Sequence, residues 1–268
     1  MTAILLIYKR FWQVSWAEQW QYRANLMMYL LFWLVSPVVY LAVWITIANS
    51  QGNVSGLTAN DFTTYYMTLL VVDQLTSEVT IHFLAYKIQD GTLSGDLIRP
   101  VHPILTGALI NNLAFKMLTF IVLIPVWIVL FLLFHPNFSA VTLGSLLLGA
   151  PAVLLGFATS FMLGATITCL AFWTTRVFSI AQFYWTLIIL FSGQFVPLQL
   201  MPRLIQDVAQ FLPFEMFKYV PVQIILNRLT PEDIFRDFGV GLAWFVISIF
   251  LFRWTWSKGV KRFSAVGA

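Results

Sequence analysis

Charge is what this sequence has least of. Of its 268 residues only 10% are Asp, Glu, Lys or Arg, where a soluble domain of that length carries about a quarter. Length alone would admit one or two soluble domains, but the deficit excludes a soluble globular enzyme and a disordered chain. Cysteine is equally scarce. The single Cys169 lies inside an apolar run, so a disulfide framework and a thiolate metal site are both excluded. The three histidines, His82, His102 and His135, are dispersed and cannot by themselves build a metal site. No G-x-x-x-x-G-K-S/T phosphate loop, no G-x-S-x-G and no H-E-x-x-H occurs. The chain is therefore expected neither to hydrolyse ATP nor to perform other evident chemistry. It holds no cofactor of its own in this reading.

What is present is apolar. Hydrophobic residues make up 60% of the chain and the mean hydropathy is +0.83, so the bilayer is the relevant solvent. A spanning helix needs roughly 20 apolar residues. The chain offers six candidates: Leu26 to Ala48, Tyr65 to Tyr86, Ala108 to Phe134, Val141 to Trp173, Phe178 to Val196 and Val240 to Trp256. The second is interrupted by Asp73, Glu78 and His82, and the sixth is short unless it begins near Phe235. The runs are continuous rather than alternating, which excludes a β-barrel. The expected fold is an all-α integral membrane domain of six transmembrane helices, one domain over 1–268.

The net charge of +4 could suggest a nucleic-acid partner, but the placement of the basic residues points to topology. With the N-terminus inside, Lys9, Arg10, Arg23, Lys87, Arg99, Arg176, Arg253, Lys258, Lys261 and Arg262 are internal, against Arg203, Lys218, Arg228 and Arg236 outside. Positive residues are retained on the cytoplasmic side. Both termini are accordingly predicted cytoplasmic, with no nucleic acid involved.

Before the first span, Lys9 and Arg10 break the apolar run and no small-residue cleavage site follows, so 1–24 does not read as a signal peptide. Ile4, Tyr8, Trp12, Trp16 and Trp20 recur every fourth residue, with Leu5 and Phe11 beside them. Such an aromatic amphipathic helix lies in the membrane interface; the alternative is a helix packed against soluble protein.

Two segments depart from plain spans. In 86–106, Asp90-Gly91 and Ser94-Gly95 are turn and helix-start signals, and Pro100 and Pro103 forbid helix beyond Arg99. A short helix from Leu93 to Ile98 results. It is either a tight connector or a docking element, with Leu93, Leu97 and Ile98 as apolar contacts and Asp96 and Arg99 at the polar rim. In 192–222, prolines at 197, 202, 213 and 221 must break the fifth span near Gly193 to Pro197. Leu204, Val208 and Phe211, with Ile205 and Leu212, then form a short amphipathic stretch between Pro202 and Pro213. It reads as a pair of re-entrant helices or as an external loop on the headgroups.

Polar groups inside spans are costly, about 2.5 to 3.5 kcal/mol for Asp or Lys at mid-helix, and so mark candidate sites. Glu78 and His82 would share a helix face. Lys116 either pairs with Asp73 or Glu78, or lines a wet path with them and with Asn111, Asn112, Thr76, Ser77 and Thr80. In the fourth span Gly156, Ser160, Gly164 and Thr168 form a small-residue row suited to close helix packing.

In this order, the interfacial helix, six spans, the D-G-T-L-S-G-D-L-I-R-P-V-H-P stretch and the S-G-x-x-x-P-L-x-x-M-P…L-P-F stretch resemble the permease subunits of the ABC type-2 transporter superfamily. Gly91, Leu93, Leu97, Arg99 and Pro100 match a G-x-L-x-x-x-L-x-R-P pattern typical of a bacterial branch of export permeases. The ending KGVKRFSAVGA is similar as well.

That resemblance implies a coupling helix within Tyr86 to Pro103, with Asp90, Gly91, Leu93, Asp96, Leu97, Arg99 and Pro100 meeting a separate ATPase dimer that binds ATP and Mg. It implies an external gate at Gly193, Pro197, Pro202, Pro213 and Phe214. It further implies a second permease, identical or paralogous, and a bacterial inner-membrane location. The expected function is ATP-driven export of an amphiphilic, drug-like or lipid/glycan-like molecule by alternating access. The alternative is an ion-coupled secondary transporter using Asp73, Glu78 and Lys116.

Overall fold

The computed structural model describes residues 2–263, and no strand is present among them. Residues 264–268 of the KGVKRFSAVGA ending and the side chains of Ile4 and Leu5 lie outside the described residues. The chain opens with α1 (Thr2–Gln21), which meets α2 (Arg23–Gln51) at Tyr22. Gly52, at φ +79°, ends α2 in a conformation that favours glycine. Then follow α3 (Ala59–Thr76), α4 (Thr80–Gln89) and the short α5 (Leu93–Leu97). A π-helical stretch, Ile104–Leu109, runs directly into α6 (Ile110–Phe134). Next come α7 (Leu143–Cys169), extended by a 3-10 turn, and α8 (Val177–Phe191). After α8 the chain folds into α9 (Arg203–Ala209), α10 (Phe214–Phe217) and α11 (Tyr219–Ile225). It ends in α12 (Pro231–Arg262).

Local sequence explains the boundaries. Thr58 and Asp61 form a capping box on α3, and Thr142 and Ser145 another on α7. Thr230 accepts from the Asp233 N–H at the start of α12, with Pro231 in the first turn. The single turns between Pro197 and Leu226 are short because proline interrupts the ladder repeatedly.

Four helical stretches are long and apolar enough to cross a membrane: Met27–Gln51, Ile104–Phe134, Leu143–Phe172 and Pro231–Arg262. The sixth expected span is thus much longer than Val240 to Trp256. The fifth is shorter than Phe178 to Val196: α8 has 15 residues, about 22 Å of rise. The second expected span is not one helix. It is broken into α3 and α4, with Ser77 to Val79 between them.

The reason α3 is the least apolar run is its position. From Phe62 to Thr76 every residue except Val71 and Leu75 is buried, so its polar side chains face protein rather than lipid. Thr63, Thr64, Thr68 and Thr76 each donate to the carbonyl four residues back, which satisfies their hydroxyls internally.

Helix α7 is the other organiser, touching α3, α4, α8, α10, α11 and α12. Its small residues are where the neighbours come closest. A Cβ at Gly149 would meet Ile225 of α11, one at Gly156 the backbone carbonyl of Met216 in α10, and one at Gly164 the carboxylate of Glu78. Close packing along this row matches the small-residue spacing.

Side-chain bonds define two ends. At one, the Asn60 amide and Thr64 hydroxyl hold the backbone of residues 135–137, and Arg228 pairs with Asp61 at 2.6 Å. At the other, Gln89 donates to the Thr175 carbonyl, and Phe263 of the chain end packs on Phe172. Lys87, Arg99, Arg176, Lys258, Lys261 and Arg262 lie toward this second end.

Helix α1 lies against α6 and α2 rather than apart from the bundle. Ser15 is buried and Trp16 packs on Leu30 and Leu118, while Leu6, Val14 and Trp20 are exposed.

Candidate functional site

The break between α3 and α4 leaves backbone groups without intrahelical partners, and three side chains meet them. The Lys116 ammonium of α6 donates to the Gln74 carbonyl at 2.8 Å and also to the Ser77 carbonyl. The Ser160 hydroxyl of α7 donates to the Thr76 carbonyl at 2.6 Å. On the other side Glu78 accepts the N–H of Thr80, the first residue of α4, at 2.7 Å. Gln74 bonds Thr119. A cation at the C-terminus of one half-helix and a carboxylate at the N-terminus of the next each complement the local helix dipole. Non-helical backbone at membrane depth is tolerated where protein covers it or a cavity borders it.

Lys116 therefore does not pair directly with either expected acid. Its nearest contacts are carbonyls, and its ammonium also stands 5.0 Å from the Phe157 ring centroid. The partner of Asp73 is instead Lys218, at the α10–α11 junction, 2.6 Å from Oδ1, with both side chains buried. The approach is ionic without hydrogen-bond alignment: neither Asp73 oxygen has an aligned donor, whereas Lys218 donates to Gln194 Oε1 at 2.6 Å.

Beside the break lies a cavity of about 280 Å³. Asp73, Ser77 and Glu78 supply its polar floor, and Trp33, Trp185 and Phe217 its aromatic walls. His82 stacks on Trp185 with centroids 5.4 Å apart. The expected helical i,i+4 relation of Glu78 and His82 is lost at the break, yet both line the cavity. A second hollow of about 280 Å³ shares Tyr29, Val79 and His82 with it and reaches Glu18 and Tyr22 at the α1–α2 junction.

Of the eight residues expected along a path, Asp73, Thr76, Ser77 and Glu78 border this cavity, and Thr80 is fully buried. Lys116 reaches the break from the opposite side, lining a hollow with Leu75 and Met117. Asn111 faces α1. Asn112 is fully buried with both amide atoms unpartnered. Sequence reasoning missed Lys218, Gln194, Trp33, Trp185 and Phe217. Lys218, the one cation in the largely apolar run F-E-M-F-K-Y-V, was the one available signal.

The segment after α8 is anchored to α2 and α3. Gly193 takes φ +75° with Tyr65 packed where a Cβ would go, and Tyr65 donates to its carbonyl at 2.8 Å. Tyr66 and the Trp44 indole donate to the Phe195 carbonyl at 2.8 and 3.3 Å. Pro197 and Pro202 flank a 3-10 turn, Pro202 and Pro213 precede α9 and α10, and Phe214 stacks on Phe191. The apolar stripe of α9 and the turn after it faces outward: Leu204 is 75% and Phe211 70% exposed.

In 86–106, Asp96 is buried and bonds both Lys87 and Arg99 at 2.8 Å. Leu93 is fully buried in the core, Leu97 is partly buried and Ile98 is 87% exposed. Of the three apolar residues expected as docking contacts, Leu93, Leu97 and Ile98, only Ile98 is exposed. Asp90 and Pro100 are exposed, and Gly91 turns the chain at φ +76°. The helix ends one residue before the expected Ile98. Arg99 stands over the Phe11 ring, 5.3 Å from its centroid, joining this loop to α1. His102 packs on Trp256, and burial holds its imidazole below the ordinary histidine value.

A bundle of helices long and apolar enough to cross a membrane, with a broken central helix beside a polar cavity, has the makings of a transport component. The family model of the ABC-2 family transporter proteins matches residues 3–267, and the chain belongs to that family. It is a multi-pass membrane permease of an ABC transporter, not itself catalytic, of a kind that works with an ABC ATPase. No curated protein matches the chain.

Proposed function

We propose that the chain is the transmembrane subunit of an ATP-driven exporter for an amphiphilic, drug-like or lipid/glycan-like molecule. The observation that carries this reading is the cavity at the α3–α4 break, where carboxylates and aromatic walls meet in a protein of the ABC-2 family. Its joint with the hollow at the α1–α2 junction supports a lateral path for an amphiphile.

In this reading α3 with α4, and α8 with the turns after it, complete six crossings. Both termini and 86–106 face the cytoplasm of a bacterial inner membrane, consistent with the basic residues at that end. Ile98 and Arg99 dock on an ATPase dimer that carries ATP and Mg. Residues 192–222, tied to Tyr65 and Tyr66, close the outer end. A second permease, identical or paralogous, completes the pathway.

The test is affinity purification of the full chain from mild detergent. Recovery of an ATPase bearing a phosphate loop, together with a permease partner, supports the reading; recovery of the chain without an ATPase contradicts it.

A second reading, ion coupling, is favoured by the buried Asp73–Lys218 pair and by Glu78 at the cavity. Collapsing the proton gradient while ATP is maintained separates the two, because only an ion-coupled carrier stops.

A further inference from the structure

A separate hollow of about 640 Å³ lies between α1 and the start of α6. Leu6, Ile7, Phe11 and Val14 give it an apolar wall, and Leu6 and Val14 also expose 57% and 64% of their surface outward. Arg10, Lys87 and Arg99 give it a basic edge.

The charges do not cancel. Lys87 and Arg99 share one carboxylate, Asp96. Arg10 bonds only the neutral amide of Gln13, at 3.2 Å, among the described residues. Glu18 is the remaining acid of the lining. Three cations thus face two carboxylates, an excess of one positive charge. The floor is close to backbone: a Cβ at Gly107 would stand 3.7 Å from Lys87 Nζ and 3.8 Å from Asp96 Oδ2. Asn111 donates to the Gly107 carbonyl at 3.2 Å, and its buried Oδ1 has no donor. The site therefore asks for one negative charge, a hydrogen-bond donor beside it, and an apolar continuation.

We propose that this hollow binds an anionic glycerophospholipid with a hydroxyl-bearing headgroup. The phosphodiester meets Arg10, Lys87 and Arg99, the headgroup hydroxyl donates to Asn111 Oδ1, and the acyl chains run along Leu6, Ile7 and Val14. Basic pockets at the edge of membrane helices select anionic headgroups in this way. A zwitterionic lipid brings no net charge to match the excess, and a choline headgroup brings no donor. A bound lipid would bridge α1 and the loop carrying Arg99, so its occupancy would join the motions of the two. The inference does not require the transport reading, although it shares Arg99 with the docking surface of that reading.

The test titrates short-chain phosphatidylglycerol into the full chain in detergent, followed by native mass spectrometry. Phosphatidylcholine of equal chain length and sn-glycerol 3-phosphate serve as comparators. Phosphatidylglycerol is expected to bind about fivefold or more tightly than phosphatidylcholine, because one surface cation is worth about 1 kcal/mol. Arg10→Gln, at an exposed position, should erase that preference. Glu18→Gln should strengthen phosphatidylglycerol binding about fivefold, a gain that a folding defect cannot mimic. Glycerol phosphate should not compete. Equal binding of the two lipids, unchanged affinity in both variants, or displacement by glycerol phosphate, which would make the ligand a soluble phosphate, each overturns the proposal.

Discussion

Lys218 Nζ lies 2.6 Å from Asp73 Oδ1, with both side chains buried, although the residues are separated by most of the bundle's sequence. The pair locks the α10–α11 junction to the broken helix. Removing one member of a buried ion pair strands the other, at about 3 to 5 kcal/mol. Lys218→Met and Asp73→Asn should each lower the unfolding midpoint in detergent, and the double variant should lose less than the sum. Additive losses would contradict the pairing.

Gly164 is predicted to be intolerant for a specific reason. An alanine there gains helix propensity, about 1 kcal/mol, but its methyl collides with the Glu78 carboxylate. Gly164→Ala should therefore destabilise the chain and reduce transport, while Glu78→Ala in the same background restores part of the lost stability. Thermal unfolding of the four combinations reads this directly. A Gly164→Ala variant as stable as the parent would show that the Glu78 carboxylate leaves that space, and the Thr80 N–H it accepts, without cost.

The end of the molecule carrying Asp61 should be acid-sensitive. Asp61 lies ahead of the expected crossing, in the first turn of α3. Partial burial raises its carboxyl, but the hydrogen bonds from Thr58 and then the Arg228 charge outweigh this and hold it below the usual aspartate value. A depressed folded value means stability that is present above the ordinary carboxylate range and lost as pH falls through the folded value. Asp61→Asn should remove that component of acid sensitivity. With the side chain about a third exposed, the effect is small and is best seen as a difference between pH titrations of the two unfolding midpoints.

The broad architecture was legible because lipid imposes length and apolarity on its crossings, and α2, α6, α7 and α12 obey that rule. The form of the second expected crossing was not, because α3 is surrounded by protein and its Thr hydroxyls satisfy themselves. Its period therefore carried no sign of the break at Ser77 to Val79. Asp73 and Glu78 were visible as costly residues, but their partners came from tertiary structure. Lys116 found carbonyls that exist only because the helix stops, and Lys218 came from a segment that reads as a loop. In 86–106, Gly91 and the prolines placed the turn, whereas the burial of Leu93 and exposure of Ile98 depended on which face α4 and α6 cover.

Ile98 offers the most direct measurement, because it is exposed and its replacement leaves the core untouched. In a purified complex with its ATPase, Ile98→Asp should leave membrane insertion and basal ATP hydrolysis intact while abolishing stimulation of hydrolysis by transported substrate. Because it also breaks the Asp96 pair, Arg99→Glu should abolish the same stimulation with a loss of stability that Ile98→Asp does not share. Undiminished substrate-stimulated hydrolysis in both variants would contradict coupling through this segment.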